Sequence, residues 1–161
     1  MNSTGLALAP VDARDWLEIV QVTTRMAWLT DHRDWEGLVE VFADHVDLDY
    51  TSLAGGEPAR LAAADVVAGW LSGLEGLDAT QHLVSNHLVE VRGDRAVATA
   101  QFQAVHVLTN PHGDPIWTLG GRYRFGLAQG EVGWRIDAIT MTATWATGNQ
   151  QIMTLAAEVA R

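Results

Sequence analysis

The hydrophobic pattern of the chain changes near its middle. Up to about residue 74, apolar residues recur at the three- and four-residue spacing of amphipathic helices, interrupted by one alternating segment. From about residue 80, apolar and polar residues alternate over four long segments that short turn sequences separate. Helices followed by an antiparallel meander favour an α+β architecture.

Three helices and one strand are predicted in the first half. The first helix opens at Asp12 and runs to about Thr30–Asp31, and Asp34 is the expected N-cap of the second. The third helix is predicted over 62–74, and the alternation over 45–52 predicts a strand. The apolar face of the first helix is Trp16, Ile19, Val20, Thr23, Met26 and Ala27, and that of the second is Trp35, Leu38, Val39 and Phe42.

The second half predicts a curved antiparallel sheet. Its strands are expected over Thr80–Val91, Arg95–Leu108, Trp117–Ala128 and Val132–Trp145. A short closing helix is predicted over 150–160. One side of such a sheet must be covered, so we expect three N-terminal helices to cover it and a pocket to form between the layers. We expect one domain over 1–161, with a core of about 12–148.

Composition and charge narrow the possible partners. The chain has 161 residues, 48% hydrophobic residues and a net charge of −10, so nucleic-acid and anionic-membrane partners are disfavoured. Its lack of cysteines excludes disulfides and thiolate chemistry. No apolar run approaches the ~20 residues of a membrane span, and Met1–Pro10 lacks the basic segment of a signal peptide. A cytoplasmic protein is expected.

Two histidines are placed to carry chemistry. Period 2 puts His82 on one face with Val84, Asn86 and Leu88, where buried polar groups need partners. His106 ends a row of mostly small residues, which leaves a cavity unless a helix packs very close. The pattern alone leaves open that each is a structural core histidine. The row is Ala96, Ala98, Ala100, Phe102 and Ala104.

Asp31 and Tyr50 complete the candidate set. Asp31 lies at the C-terminal end of the first helix, where the helix dipole disfavours a carboxylate, so it is either functional or part of a solvated turn. Tyr50 is in phase with the inward positions of its strand, and its hydroxyl needs a partner, although core packing also explains it. His112 lies in a loop and His87 is out of phase with His82. No metal or cofactor motif is present, so neither is expected.

Four segments together resemble the SnoaL-like group of the nuclear-transport-factor-two-like superfamily. The similarity covers about residues 12–148, and the most similar sub-types are scytalone dehydratase and hexachlorocyclohexane dehydrochlorinase. It implies a cone-shaped, cystatin-like α+β barrel. The segments are Leu29-Thr30-Asp31-His32-Arg33-Asp34-Trp35, Val41 to Tyr50, Thr80-Gln81-His82 with Ser85-Asn86, and Gly133-Trp134-Arg135-Ile136.

The resemblance implies roles for particular residues. Asp31 and His82 match the aspartate–histidine pair of those enzymes, and His106 and Tyr50 match the second histidine and the first-strand tyrosine of scytalone dehydratase. Thr30 stands where scytalone dehydratase has a second tyrosine, so its substrate is not transferable. The candidate substrate-binding residues are Tyr50, Asn86, Phe102, Met26 and Trp145.

The resemblance implies a cofactor-independent dehydratase, that is, a lyase. His82, oriented by Asp31, would remove a proton from carbon and water would leave an apolar alicyclic, aromatic or polyketide-like substrate. An isomerase, an aldol or epoxide-opening cyclase, or a non-catalytic small-molecule binding protein remain alternatives, because one fold hosts many functions. A homo-oligomer, trimer or dimer, is expected through the outer face of the sheet.

Overall fold

The computed structural model describes residues 11–111 and 113–159, so the N-terminal decapeptide, His112 and the end of the predicted closing helix lie outside the described residues. Within these ranges no helix is long and apolar enough to cross a membrane. The elements are α1 (Ala13–Asp31), α2 (Trp35–Val39), β1 (Phe42–Asp49), α3 (Thr51–Ala54), β2 (Ala59–Ala62), α4 (Ala63–Leu74), β3 (Ala79–Arg92), β4 (Arg95–Val107), β5 (Ile116–Gly130), β6 (Gly133–Gly148) and α5 (Gln151–Val159).

The α+β fold class is confirmed. One six-stranded, curved and unclosed sheet has the order β2-β1-β6-β5-β4-β3, in which β3 to β6 form the expected antiparallel meander. One pairing differs from the expectation, because β1 runs parallel to β6. The two strands are separated by most of the chain, so no hairpin constrains their direction.

The first half differs in detail from the prediction. The helix stripe predicted through Phe42 ends earlier, because α2 stops at Val39 and Phe42 begins β1 as a fully buried strand residue paired with Ile136. The predicted strand at 45–52 therefore lies at Phe42–Asp49, and the short α3 follows it. The unpredicted β2 has only four residues, too few for alternation to be recognised.

The core lies between the helices and the inner face of the sheet. The side chain of Asp12 caps α1 by accepting from the backbone N–H of Arg14 at 2.8 Å, and the side chain of Asp34 caps α2 by accepting from that of Gly37 at 2.9 Å. The α1 side chains that face the core include Ile19, Thr23, Met26 and Thr30. This packing points the C-terminal end of α1 at the inner face of β3.

The outer face of the sheet is uncharged toward one end. A row across four strands joins Leu83, Gln103, Gly120 and Trp145 as successive cross-strand neighbours. Leu83 and Trp145 are about half exposed. The predicted homo-oligomer through this face stays a prediction.

The close packing of β5 against β6 depends on the absence of a side chain at Gly121. A Cβ atom there would lie 2.1 Å from the carbonyl oxygen of Thr142 and 3.0 Å from the ring of Phe102. We expect Gly121→Ala to lower the free energy of unfolding by about 1–3 kcal/mol, measured by urea denaturation. Gly130→Ala is the matched control, since its nearest neighbour would be 3.9 Å away. Equal losses in both variants would contradict the packing argument.

Candidate active site

A cavity of about 200 Å³ lies between the helices and the inner face of the sheet. Its walls are mostly apolar, and a few polar side chains interrupt them. The apolar lining includes Met26, Trp70, Phe102, Leu119, Met141 and Met153, and the polar groups are Thr30, Tyr50, His82, His106 and Tyr123. This is the composition of a small-molecule pocket with a few orienting groups.

The carboxylate of Asp31 is held by three donors from β3. Its Oδ1 accepts from the Thr80 hydroxyl at 2.8 Å and lies 2.7 Å from the ring Nδ1 of His82. Its Oδ2 accepts from the backbone N–H of His82 at 2.7 Å. The side chains of Asp31 and His82 are mostly buried, with 15% and 16% of their surfaces exposed. The end of α1 and the start of β3 are thereby joined at the wall of the cavity.

The pKa of Asp31 determines which ring nitrogen of His82 carries the proton. Burial by itself would raise this pKa, but the hydrogen bonds from the His82 ring, the His82 backbone and Thr80 lower it below the ordinary value. The carboxylate is therefore ionised at neutral pH and can only accept hydrogen bonds. Nδ1 of His82 must then be the donor, which leaves Nε2 of the neutral ring with a free lone pair.

His106 lies beside His82 in a drier environment. It is 5% exposed, and its ring stands edge-on to the His82 ring at a centroid distance of 5.6 Å. Burial, followed by the nearby His82, lowers its pKa to about 4, against an opposing contact with the Trp117 backbone. Its Nδ1 is buried without a hydrogen-bond partner among the described residues. At pH 7 this ring is neutral and one of its nitrogens is unsatisfied.

Two tyrosines face the same cavity. Tyr50 follows β1 rather than lying on it, which corrects the predicted strand position, but its ring packs inward near Trp70 at a centroid distance of 6.2 Å. Tyr123 on β5 packs against Phe102 at 4.5 Å. Burial of both hydroxyls, which interact with each other, raises the pKa of Tyr50 well above 10 and that of Tyr123 to about 12. Both are therefore neutral at pH 7, and because one hydroxyl donates to the other, one hydroxyl proton remains for a ligand.

Two predicted substrate contacts lie elsewhere. The expectation that Asn86 shares the face of His82 is wrong, because a β-bulge between Ser85 and Leu88 shifts the phase. Asn86 has φ 55°, is exposed and donates to the side chain of Gln101 on the outside. Trp145 is also outside the cavity lining: it is 49% exposed, and its indole lies over Gly120 on the outer face.

The structure brings the other predicted residues together and adds new ones. Met26 and Phe102 line the cavity with His82 and His106. Tyr123 was missed, although it is in phase with Phe125 and Leu127, because the alternation marks many inward residues without saying which of them border a void. In the sequence, the cavity residues of α4 and α5 show only helical periodicity, which does not distinguish residues that border a cavity from those packed in the core. No group of three or more potential metal ligands occurs among the described residues.

Comparisons with known proteins agree with the fold. The Kfla4162 protein of Kribbella flavida has a TM-score of 0.82 at 27% identity over 90% of this chain and 99% of its own. A candidate scytalone dehydratase from Novosphingobium aromaticivorans has a TM-score of 0.71 at 18% identity, covering 85% and 89%. A type 2 hexachlorocyclohexane dehydrochlorinase has a TM-score of 0.67 at 14% identity, covering 83% and 88%. The last two show the fold alone.

The family follows from the sequence itself. A search of curated proteins gave no match. The model of the SnoaL-like domain, however, matches residues 11–140, which include every element from α1 to β5 and the first half of β6. This match covers most of the chain and contains Asp31, His82, His106 and both cavity tyrosines. The chain therefore belongs to the SnoaL-like domain family.

Proposed function

We propose that this protein is a cofactor-independent dehydratase that removes water from an apolar alicyclic, aromatic or polyketide-like substrate. The observation that carries the proposal is the 2.7 Å contact between Asp31 and the ring of His82 at the wall of an apolar cavity. A carboxylate that fixes the tautomer of a histidine makes its other nitrogen a general base near neutral pH. Proteins of the same fold include a candidate scytalone dehydratase and a hexachlorocyclohexane dehydrochlorinase, which supports catalysis.

In the first step His82 would act as the base. Its Nε2 takes a proton from a carbon next to a carbonyl group, and the ionised Asp31 stabilises the imidazolium that forms. Negative charge develops on the carbonyl oxygen at the same time. Tyr50 and Tyr123 are neutral and line the cavity, and the hydroxyl that does not donate to the other tyrosine can stabilise that charge by a hydrogen bond.

In the second step the carbon–oxygen bond breaks as the new double bond forms. The hydroxyl group leaves with the proton that His82 took from carbon, so one water molecule balances the reaction. His106 has a low pKa and is neutral at pH 7, which favours a hydrogen bond to the departing oxygen over transfer from an imidazolium. With the ring proton on its unpartnered Nδ1, His106 would donate this hydrogen bond to the departing oxygen.

Two measurements on the same protein test the proposal. Alicyclic β-hydroxy ketones should form conjugated enones, followed by ultraviolet absorbance. The parent ketones, which lack a leaving group, should exchange their α-protons in D₂O, followed by NMR. Exchange without elimination would replace the dehydratase by an isomerase or cyclase that uses the same base. Absence of both activities over a broad ketone panel would overturn proton abstraction by His82.

A further inference from the structure

Two glycines leave part of the cavity wall without side chains. Gly69 and Gly73 are one turn apart on α4 and both line the cavity. A Cβ atom built on either of them would meet nothing within 4 Å. Gly76, just beyond the helix, is different, because its Cβ would lie 2.0 Å from the backbone of Ala156 on α5. Close packing therefore explains Gly76 but neither glycine of α4.

Glycine inside a helix has a cost. It destabilises the helix relative to alanine, because its unfolded backbone has more freedom. Neither Gly69 nor Gly73 has a positive φ that would require glycine. A helix that carries two such residues beside empty space gains nothing in stability from them. The open space itself is the feature that remains to be explained.

The glycines lie where the cavity reaches the surface. Gly69 is exposed and Gly73 is half-buried, and Leu53 of α3, 38% exposed, borders the same cavity. Met153 of α5 borders it as well. The opposite end of the cavity, which is polar, is closed, since His106 there is 5% exposed. We call the opening bounded by Leu53, Gly69, Gly73 and Met153 the portal.

A second observation indicates that the cavity holds a ligand. His106 lines it, is buried, and leaves Nδ1 without a partner among the described residues. Leaving a buried polar atom unpaired is unfavourable. A hydroxyl or carbonyl group of a ligand in the cavity would supply the missing hydrogen-bond partner of Nδ1. The enclosed volume of about 200 Å³ suits a compact ring. A longer molecule would have to extend through the portal.

We propose that Gly69 and Gly73 determine substrate size by keeping the portal open, so that the protein takes a compact oxygenated ring bearing an apolar chain or second ring that extends between α4, α3 and α5. The proposal rests on the proposed function only in treating this cavity as the ligand site. The ring lies toward His82 and His106, and the extension passes the bare backbone of α4. The apolar rim formed by Leu53 and Met153 fits a hydrocarbon extension.

Binding of 4-alkylcyclohexanones from methyl to octyl, measured by calorimetry, tests this proposal without requiring turnover. In the wild type, affinity should rise along the whole series, by up to about fourfold for each methylene that becomes buried. Gly73→Leu should leave the methyl compound within about twofold and weaken the octyl compound at least about tenfold. Ala68→Leu, on the exposed side of α4, is the matched control and should leave the series unchanged.

Thermal stability distinguishes the two possible roles of Gly69 and Gly73, keeping the portal open or allowing close packing. Gly69→Ala and Gly73→Ala should each raise Tm by about 2–4 °C, because each Cβ has room and removes a helix-interior glycine. Two results would overturn the proposal: a Tm that falls in both alanine variants, or a Gly73→Leu variant that weakens all ketones equally or none. Failure of the enone and exchange assays would leave this binding pattern intact, so the two proposals fail separately.

Discussion

Replacing Asp31 with asparagine is expected to lower kcat/KM for the proposed elimination by about 10³- to 10⁴-fold. Asp31 accepts from three donors, namely the Thr80 hydroxyl, the His82 backbone N–H and the His82 ring Nδ1–H. Asparagine has one oxygen and one NH₂ group, so its NH₂ group faces either the His82 backbone N–H, which leaves both donors unpaired, or the Thr80 hydroxyl and the His82 ring. If the NH₂ group faces the ring, His82 takes the other tautomer and loses its free Nε2 lone pair.

The same substitution should reduce stability less than it reduces activity. One unsatisfied buried donor costs about 1–3 kcal/mol, which urea denaturation would detect. Asp44→Asn is the matched control, because Asp44 is exposed on β1, and it should leave both properties unchanged. An Asp31→Asn variant with wild-type turnover and wild-type α-proton exchange would show that the pair is structural.

Stability is expected to fall by about 3 kcal/mol between pH 7 and pH 4 because of His106. In the folded protein its pKa is lowered to about 4, first by burial and then by the nearby His82, whereas the unfolded chain binds this proton near pH 6.5. Between these values the unfolded state holds the extra proton, so lowering the pH favours unfolding. The stability contribution is fully present above pH 6.5 and is lost as the pH falls toward 4.

Urea denaturation over this pH range measures the effect. His106→Phe should give a flatter profile. Its stability at pH 7 should not fall by as much as in a core truncation, because phenylalanine keeps an aromatic ring and removes the unpaired Nδ1. His106→Gln keeps a polar group but cannot titrate, so it should flatten the profile as well. Asp31 also lowers stability as the pH falls, but at a lower pH than His106. Its pKa is lowered in the folded protein, so its contribution is present above pH 3.8 and is lost below it. Unchanged slopes in both His106 variants would contradict the assignment.

The local pattern predicted most of the elements and several residues of the candidate site. Period-2 alternation predicted four strands whose observed limits, Ala79–Arg92, Arg95–Val107, Ile116–Gly130 and Gly133–Gly148, differ by at most three residues. The resemblance matched Asp31 to His82, and the two side chains are in contact in the structure. These features are local, or depend on short motifs whose order along the chain is preserved.

Several features depended on distant contacts. The parallel pairing of β1 with β6 joins strands that are far apart in sequence, so no turn sequence indicates it. The bulge at Asn86 shifts the strand phase by one residue, and no glycine or proline between residues 82 and 91 marks it in the sequence. It turns Asn86 outward and His87 toward Thr23, with 3.1 Å between the His87 Nε2 and the Thr23 hydroxyl.

By itself the sequence determined the fold class and, through the motifs that carry the family resemblance, the pairing of Asp31 with His82, because periodicity and motif order are properties of the chain. The tertiary structure decided which inward residues border a void. Tyr123 and Gly73 face the cavity, whereas Phe125 is fully buried in the core although it shares the alternation of Tyr123. The reason is that a cavity is the space left between elements, and its shape depends on how helices and sheet pack rather than on any one segment.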